Sequence, residues 1–275
     1  MRSSPATPRA AGRRPSSTSR LLRRGPGSLY RQGQSLRFLL TRDRREVLDF
    51  LRADYPLALS RRARLALLRD FLRTTHALRG YHTLEEMLRV CDRIFRRAGQ
   101  GEVVVVEAGS GSGSSTAKLS LAVRKVGGRL LVFDTFQGIP ENDERHEHLD
   151  GRPLVYRKGA FRGRLESVRR HVERFGAPEV CTFHKGLFEE TLPGLDAAID
   201  VALLDVDLIA STRVCTRHLF PLLKPGGVLF SQDGHIRATV ELFADERFWR
   251  EDVGVAPPAI PGLGEQKLLE IVRPA

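Results

Sequence analysis

The chain has 275 residues, 41% of them hydrophobic, and a formal net charge of +12. That is enough apolar material for one large domain or two small ones, and no apolar run is long enough to span a bilayer, which excludes membrane insertion. The three cysteines, Cys91, Cys181 and Cys215, are far apart and form no C-x-x-C pair, so a disulfide framework and a structural zinc are excluded as well.

The basic excess is local. Residues 1–45 contain twelve arginines and one acid, Asp43, and so carry +11 of the net +12; the remaining 230 residues are nearly neutral. Residues 1–28 are rich in Arg, Ser, Pro and Gly, a composition that buries too little surface to offset ordering entropy. The expectation is a disordered basic tail over 1–43, a solvated segment first and a weak binder of acidic surfaces second. It lacks the apolar core of a secretory signal, and without a clear amphipathic helix it is a poor transit peptide. The expected location is cytoplasmic.

From Arg44 to Ala98 the pattern is helical. Val47, Leu48, Phe50 and Leu51 form a short apolar face that Tyr55-Pro56 breaks. A second helix over Arg61–Leu78 places Leu65, Leu68, Phe71, Leu72 and Leu78 on its buried side. Thr83 with Glu86 three residues on forms a capping box, and Leu84, Met87, Leu88, Cys91, Ile94 and Phe95 follow at helical spacing until Gly99 stops the helix. Residues 44–98 are therefore expected to form a helical lid that packs on the sheet and helps close a site in the 99–275 domain.

Val103–Val106, four β-branched residues in a row, read as a strand buried on both faces. Glu107, Gly109, Gly111 and Gly113 follow, and then a helix with Ala117, Leu121 and Ala122 on one face. Strand, glycine turn and helix is how an open α/β sheet holds a nucleotide-like ligand outside a strand's carboxyl end. Three readings compete: a methyl donor, a dinucleotide, or only a tight turn. The third glycine comes one position earlier than in the dinucleotide fingerprint G-x-G-x-x-G. An acid two residues before the first glycine is common where S-adenosylmethionine binds.

The remaining chain alternates. Strands are expected at Arg129–Asp134, Val180–His184, Ile199–Asp205, Val228–Ser231 and Lys267–Val272. Helices are expected at Phe161–Phe175, Ser211–Leu223 (capped by Ser211) and Ile236–Trp249. That alternation implies a mainly parallel sheet covered on both faces. Asp134 ends the second strand 21 residues after Gly113, where an acid can accept hydrogen bonds from two ribose hydroxyls. The corner Lys224-Pro225-Gly226-Gly227 after four strands is typical of class I methyltransferases and unusual in dehydrogenases.

Four blocks resemble the macrocin O-methyltransferase (TylF-type) family, and they occur in its order. Val106–Gly113 with Ser115 is similar to its glycine motif. Phe133-Asp134-Thr135-Phe136-Gln137-Gly138-Ile139-Pro140, the most specific block, resembles D-S-F-E-G-L-P. Lys185–Pro193 resembles K-G-x-F-x-D-T-L-P, and Leu204–Thr212 resembles L-D-G-D-x-Y-x-S-T. The resemblance covers roughly residues 80–250.

It implies a Rossmann-like class I fold, a seven-stranded mostly parallel sheet with an antiparallel last strand, and S-adenosylmethionine as cofactor. It implies O-methylation of a sugar or related natural product, assisted by magnesium or another divalent cation. By resemblance, Glu107, Gly109, Gly111, Gly113, Ser115, Asp134, Phe136, Gly186 and Phe188 hold the cofactor. Asp205 matches the first metal aspartate, beside the acceptor hydroxyl, and Asp233 the second. The family's third acid falls on Gly234. His235, one residue on, is a substitute ligand, although histidine suits manganese, iron or zinc better than magnesium. His146 and His148 are candidate bases in a loop facing the acceptor; a solvated loop is the plainer account of both. Asp207 is expected to cap or turn the entry to the next helix.

Other classes stay open: a metal-free or non-catalytic relative, a nicotinamide oxidoreductase, or an RNA methyltransferase using the basic tail. The near-neutral body argues against a nucleic-acid partner. The expected partner is a small-molecule hydroxyl acceptor, and a homo-oligomer is compatible with the sequence.

Overall fold

The computed structural model of the chain describes residues 44–274; the expected basic tail over 1–43 lies outside the described residues. Helices α1 (Arg44–Arg52), α2 (Arg61–Ala77) and α3 (Leu84–Arg96) come first. The capping box opening α3 is present: Glu86 N–H donates to Thr83 Oγ1 at 3.1 Å, and Thr83 N–H to Glu86 Oε2 at 2.6 Å.

Strand β1 (Val104–Ala108), helix α4 (Ser114–Val126) and strand β2 (Arg129–Asp134) then form the first strand–helix–strand unit. Later elements are β3 (His146–Glu147), β4 (Pro153–Leu154), α5 (Leu165–Phe175), β5 (Cys181–Lys185), α6 (Phe188–Thr191), β6 (Ile199–Leu204), α7 (Ile209–Leu219), β7 (Leu223–Ser231), α8 (Arg237–Ala244) and β8 (Leu269–Val272). The main sheet has the order β5-β2-β1-β6-β7-β8. All neighbours are parallel except β7 and β8, which are antiparallel as expected.

Among the described residues the sheet has six strands, not seven; β3 and β4 make a separate two-stranded ribbon. Between α8 and β8 the chain carries Pro257, Pro258 and Pro261 with Gly262 and Gly264, a composition that denies a strand its ladder donors. Other boundaries moved as well. Phe161 turns with φ +57° and α5 begins only at Leu165. Helix α7 begins at Ile209, so Ser211 lies inside it, and β7 starts five residues before Val228.

Period-two burial divides the core. Val103 and Val105 face one layer with Val132, Phe71, Phe95 and Phe230. Val104 and Val106 face the other with Phe133, Leu204, Phe220 and Trp249. The amino-terminal helices therefore share a core with the sheet. The chain leaves β1 toward β2 on one side and later enters β6 on the other. That reversal places a crevice at the carboxyl ends of β1 and β6, where ligands bind in open α/β sheets.

Candidate active site

A cavity of about 720 Å³ opens at that crevice. The turn after β1 forms its floor. Gly109 has φ +87°, and a Cβ there would lie 2.0 Å from the Asp205 carbonyl oxygen, so only glycine lets the two strand ends approach. Asp134 ties this turn to β2: its Oδ2 accepts from Ser110 N–H at 2.7 Å and Gly111 N–H at 3.2 Å, while Oδ1 accepts from Phe136 N–H at 2.6 Å.

Among the expected cofactor residues, Gly109, Gly111, Ser115, Asp134 and Phe188 line the cavity. Gly113, Phe136 and Gly186 are not among its lining residues. Gly113 starts α4 in the left-handed region, and Phe136 packs in the core. Glu107 is fully buried beneath the turn and accepts a 2.6 Å hydrogen bond from Thr116; burial pushes its carboxyl up to about 8.

The carboxyl ends of β6 and β7 bring together Asp205, Asp207 and Asp233, each offering an oxygen within 4.8 Å of the others. Asp207 joins the group through a left-handed backbone, φ +63°, rare for a residue with a side chain. Its N–H donates to Asp233 Oδ2 at 3.1 Å, and the nearby Tyr156 hydroxyl favours its charged carboxylate. Burial first, and then mutual repulsion, raises Asp207 and Asp233 above the carboxylate range; burial also raises Asp205, which Lys267 partly offsets.

Three converging carboxylates with little compensating charge suit a hard divalent cation bound through oxygen. His235 stands outside that group. It lines the cavity, but its ring packs against His148 with centroids 5.3 Å apart. Gly234 has a steric reason: a Cβ there would lie 2.2 Å from the Gln266 carbonyl oxygen and 2.7 Å from Leu269 Cγ.

His146 and His148 are not cavity-lining residues. His146 is buried with Nε2 2.9 Å from Glu144. Glu144 itself caps α7, accepting from the N–H groups of Ile209 at 2.8 Å and Ala210 at 3.0 Å. This is the capping role expected of Asp207, supplied instead by a loop 65 residues upstream.

The cavity thus gathers the glycine turn, the acid at the end of β2 and the aspartates at two further strand ends. A family model described as Macrocin-O-methyltransferase (TylF) matches residues 35–259. The chain belongs to the macrocin O-methyltransferase family. It is accordingly an S-adenosylmethionine-dependent O-methyltransferase.

A Streptomyces olivaceus relative described as 8-demethyl-8-(2,3-dimethoxy-alpha-L-rhamnosyl)-tetracenomycin-C 4'-O-methyltransferase is 29% identical over 196 residues, 69% of this chain and 73% of that protein. Two solved structures share the fold. The O-methyltransferase NovP is 18% identical with a TM-score of 0.53, covering 90% of this chain and 99% of its own. The S-adenosylhomocysteine-bound methyltransferase PaMTH1 of Podospora anserina is 11% identical with a TM-score of 0.50, covering 86% and 96%. Among the described residues, no helix is long and apolar enough to cross a membrane.

Sequence reasoning missed Asp207 and Tyr156. Asp207 lay inside the L-D-x-D block, but nothing local announces its left-handed backbone. Tyr156 reaches the site from a loop with no periodic pattern.

Proposed function

We propose that this methyltransferase acts on a hydroxyl of a sugar or sugar-bearing natural product, with Asp205 and Asp233 holding a divalent cation and Asp207 receiving the acceptor's proton. The convergence of the three aspartates on the cavity that also holds the glycine turn carries this reading. The sugar class is supported by the relative described as a rhamnosyl 4'-O-methyltransferase.

When bound, the sulfonium donor supplies an electrophilic methyl group, and a divalent cation lowers the pKa of a coordinated hydroxyl. The protein positions both. Gly109 and Gly111 let a ligand lie against the backbone, and Ser115 lines the same wall. Asp134, which holds the turn through one carboxylate edge, faces the ribose. Phe188 flanks the adenine end. Glu107, Gly113, Phe136 and Gly186 act one layer behind, by shaping the turns.

Asp233 is held by the Asp207 N–H, which donates to its Oδ2 at 3.1 Å, and this suits a ligand. Asp207 is oriented by the Tyr156 hydroxyl and faces the cavity, which suits a base. That role falls to Asp207 rather than His146 or His148, whose rings stand behind the wall. The 44–98 region closes the cofactor end, since Arg79 to His82, between α2 and α3, lines the cavity.

Calorimetric titration with S-adenosylmethionine tests the core of this reading. Binding is expected in the parent protein and a loss of roughly tenfold or more in Asp134→Ala. The cation is tested separately, with EDTA-stripped protein titrated with magnesium chloride. Absence of donor binding by the parent protein sinks the proposal; absence of heat from magnesium sinks the metal assignment alone.

A further inference from the structure

The cavity that holds the aspartates also carries a fixed positive charge that the chemistry above leaves unused. Lys267, just before β8, lines it together with Asp205, Asp207 and Asp233. Its Nζ donates to the Tyr81 carbonyl oxygen at 2.6 Å and lies 3.9 Å from Glu86 Oε1. Glu86 is itself held, because its other oxygen, Oε2, accepts from the Thr83 N–H in the capping box of α3. The ammonium is thus anchored by the start of α3 and the segment before it.

The backbone ties this lysine to the acid cluster. The N–H of Gly234, next to Asp233, donates to the Lys267 carbonyl oxygen at 2.9 Å. A Cβ on Gly234 would lie 2.2 Å from the Gln266 carbonyl oxygen and 2.9 Å from that of Lys267, so position 234 has no room for a side chain. The segment that denies the cluster a further carboxylate is therefore the one that delivers an ammonium. Its charge opposes the burial that raises the three aspartates, and pulls each of them down.

We propose that Lys267 is a tethered counter-ion of the aspartate cluster, a positioning residue that supplies part of the positive charge otherwise brought by a divalent cation and so sets how tightly the three carboxylates bind one. This deepens the function proposed above and rests on its reading of the cluster as a cation site. Converging carboxylates repel one another, and a bound cation or a nearby fixed ammonium relieves that repulsion. An ammonium held by Tyr81 and Glu86 needs no reorganisation when negative charge grows on an acceptor oxygen in the same cavity. It also repels a divalent cation, so the two charges compete for one cluster. The acceptor's proton still goes to Asp207.

Calorimetry with magnesium chloride on the EDTA-stripped full chain separates a counter-ion from a structural strut. Lys267→Gln keeps a donor for the Tyr81 carbonyl and removes the charge; it should bind magnesium roughly tenfold tighter than the parent. Lys267→Arg, which keeps the charge, should match the parent. In thermal melts Lys267→Gln should lose stability in EDTA and regain it with magnesium. A strut would lose stability without gaining magnesium affinity, so an unchanged or weaker affinity in Lys267→Gln overturns the proposal, as does an equal gain in Lys267→Arg. If Lys267→Gln folds only with magnesium present, the ion replaces the lysine and the proposal stands. If it folds in neither condition while Lys267→Arg folds, the two charges are not interchangeable and the proposal falls. Magnesium binding by Lys267→Gln but not by the parent removes the metal from the parent's mechanism and leaves the counter-ion in place. Binding by neither sinks both readings.

Discussion

Strand β6 has an aspartate at each end, Asp200 buried and Asp205 half-buried, and the protein treats them oppositely. At the amino end, Asp200 is 1% exposed and fully matched: Arg97 approaches at 2.8 Å, Lys224 at 2.7 Å, and the Val104 N–H donates at 2.9 Å. At the carboxyl end, Asp205 faces Asp207 and Asp233, and among the described residues Lys267 is the charge that offsets it. A compensated buried charge builds structure. A cluster left uncompensated costs stability, and its retention points to chemistry.

Removing charge from each end breaks or sharpens that contrast. Asp205→Asn should lower methyl transfer by roughly 10²-fold or more while leaving the melting temperature unchanged or raised. A fall in stability would show that Asp205 is structural after all. Asp200→Asn should do the reverse, costing roughly 3 kcal/mol or more by stranding Arg97 and Lys224; chemical denaturation measures the loss, and the folded fraction should bind S-adenosylhomocysteine normally.

Gly234→Asp, which restores the family's third acid, should destabilise by about 1–3 kcal/mol and add no magnesium affinity in calorimetry, because the 266–269 segment fills the space. The smallest effect concerns Glu107. Its folded-state carboxyl is raised to about 8 from 4.5, so its contribution is complete below pH 4.5 and is lost as pH rises through 8. Glu107→Gln should flatten the decline of melting temperature between pH 5 and 8; an unchanged slope would mean that Thr116 and its neighbours already compensate the charge.

Much of this was legible in one dimension. Val103–Val106 had to be a buried strand, because four β-branched residues without polar alternation fit only a sheet covered on both faces. Thr83 and Glu86 announced the start of α3. Asp134, Asp205 and Asp233 were legible as acids at strand ends, where open α/β sheets bind ligands, while the metal reading of Asp205 and Asp233 came from the family resemblance. Strand number was not legible: the six strands visible in the alternation are those observed, and the seventh came from resemblance alone. The glycine turn was legible as a turn after β1, yet Gly113 and Glu107 lie behind the cavity wall, because their orientation depends on how α4 docks.

Local pattern alone therefore determined the six strands of the sheet, the glycine turn and the acids at three strand ends. It could do so because periodic burial and turn chemistry act over a few residues. Tertiary structure decided the rest. The left-handed backbone of Asp207 is held by a contact 26 residues away in Asp233, the cap of α7 comes from Glu144 across 65 residues, and His82 meets Lys118 across 36. Such pairings depend on how packed elements close on one another, and no window of neighbouring residues contains that information.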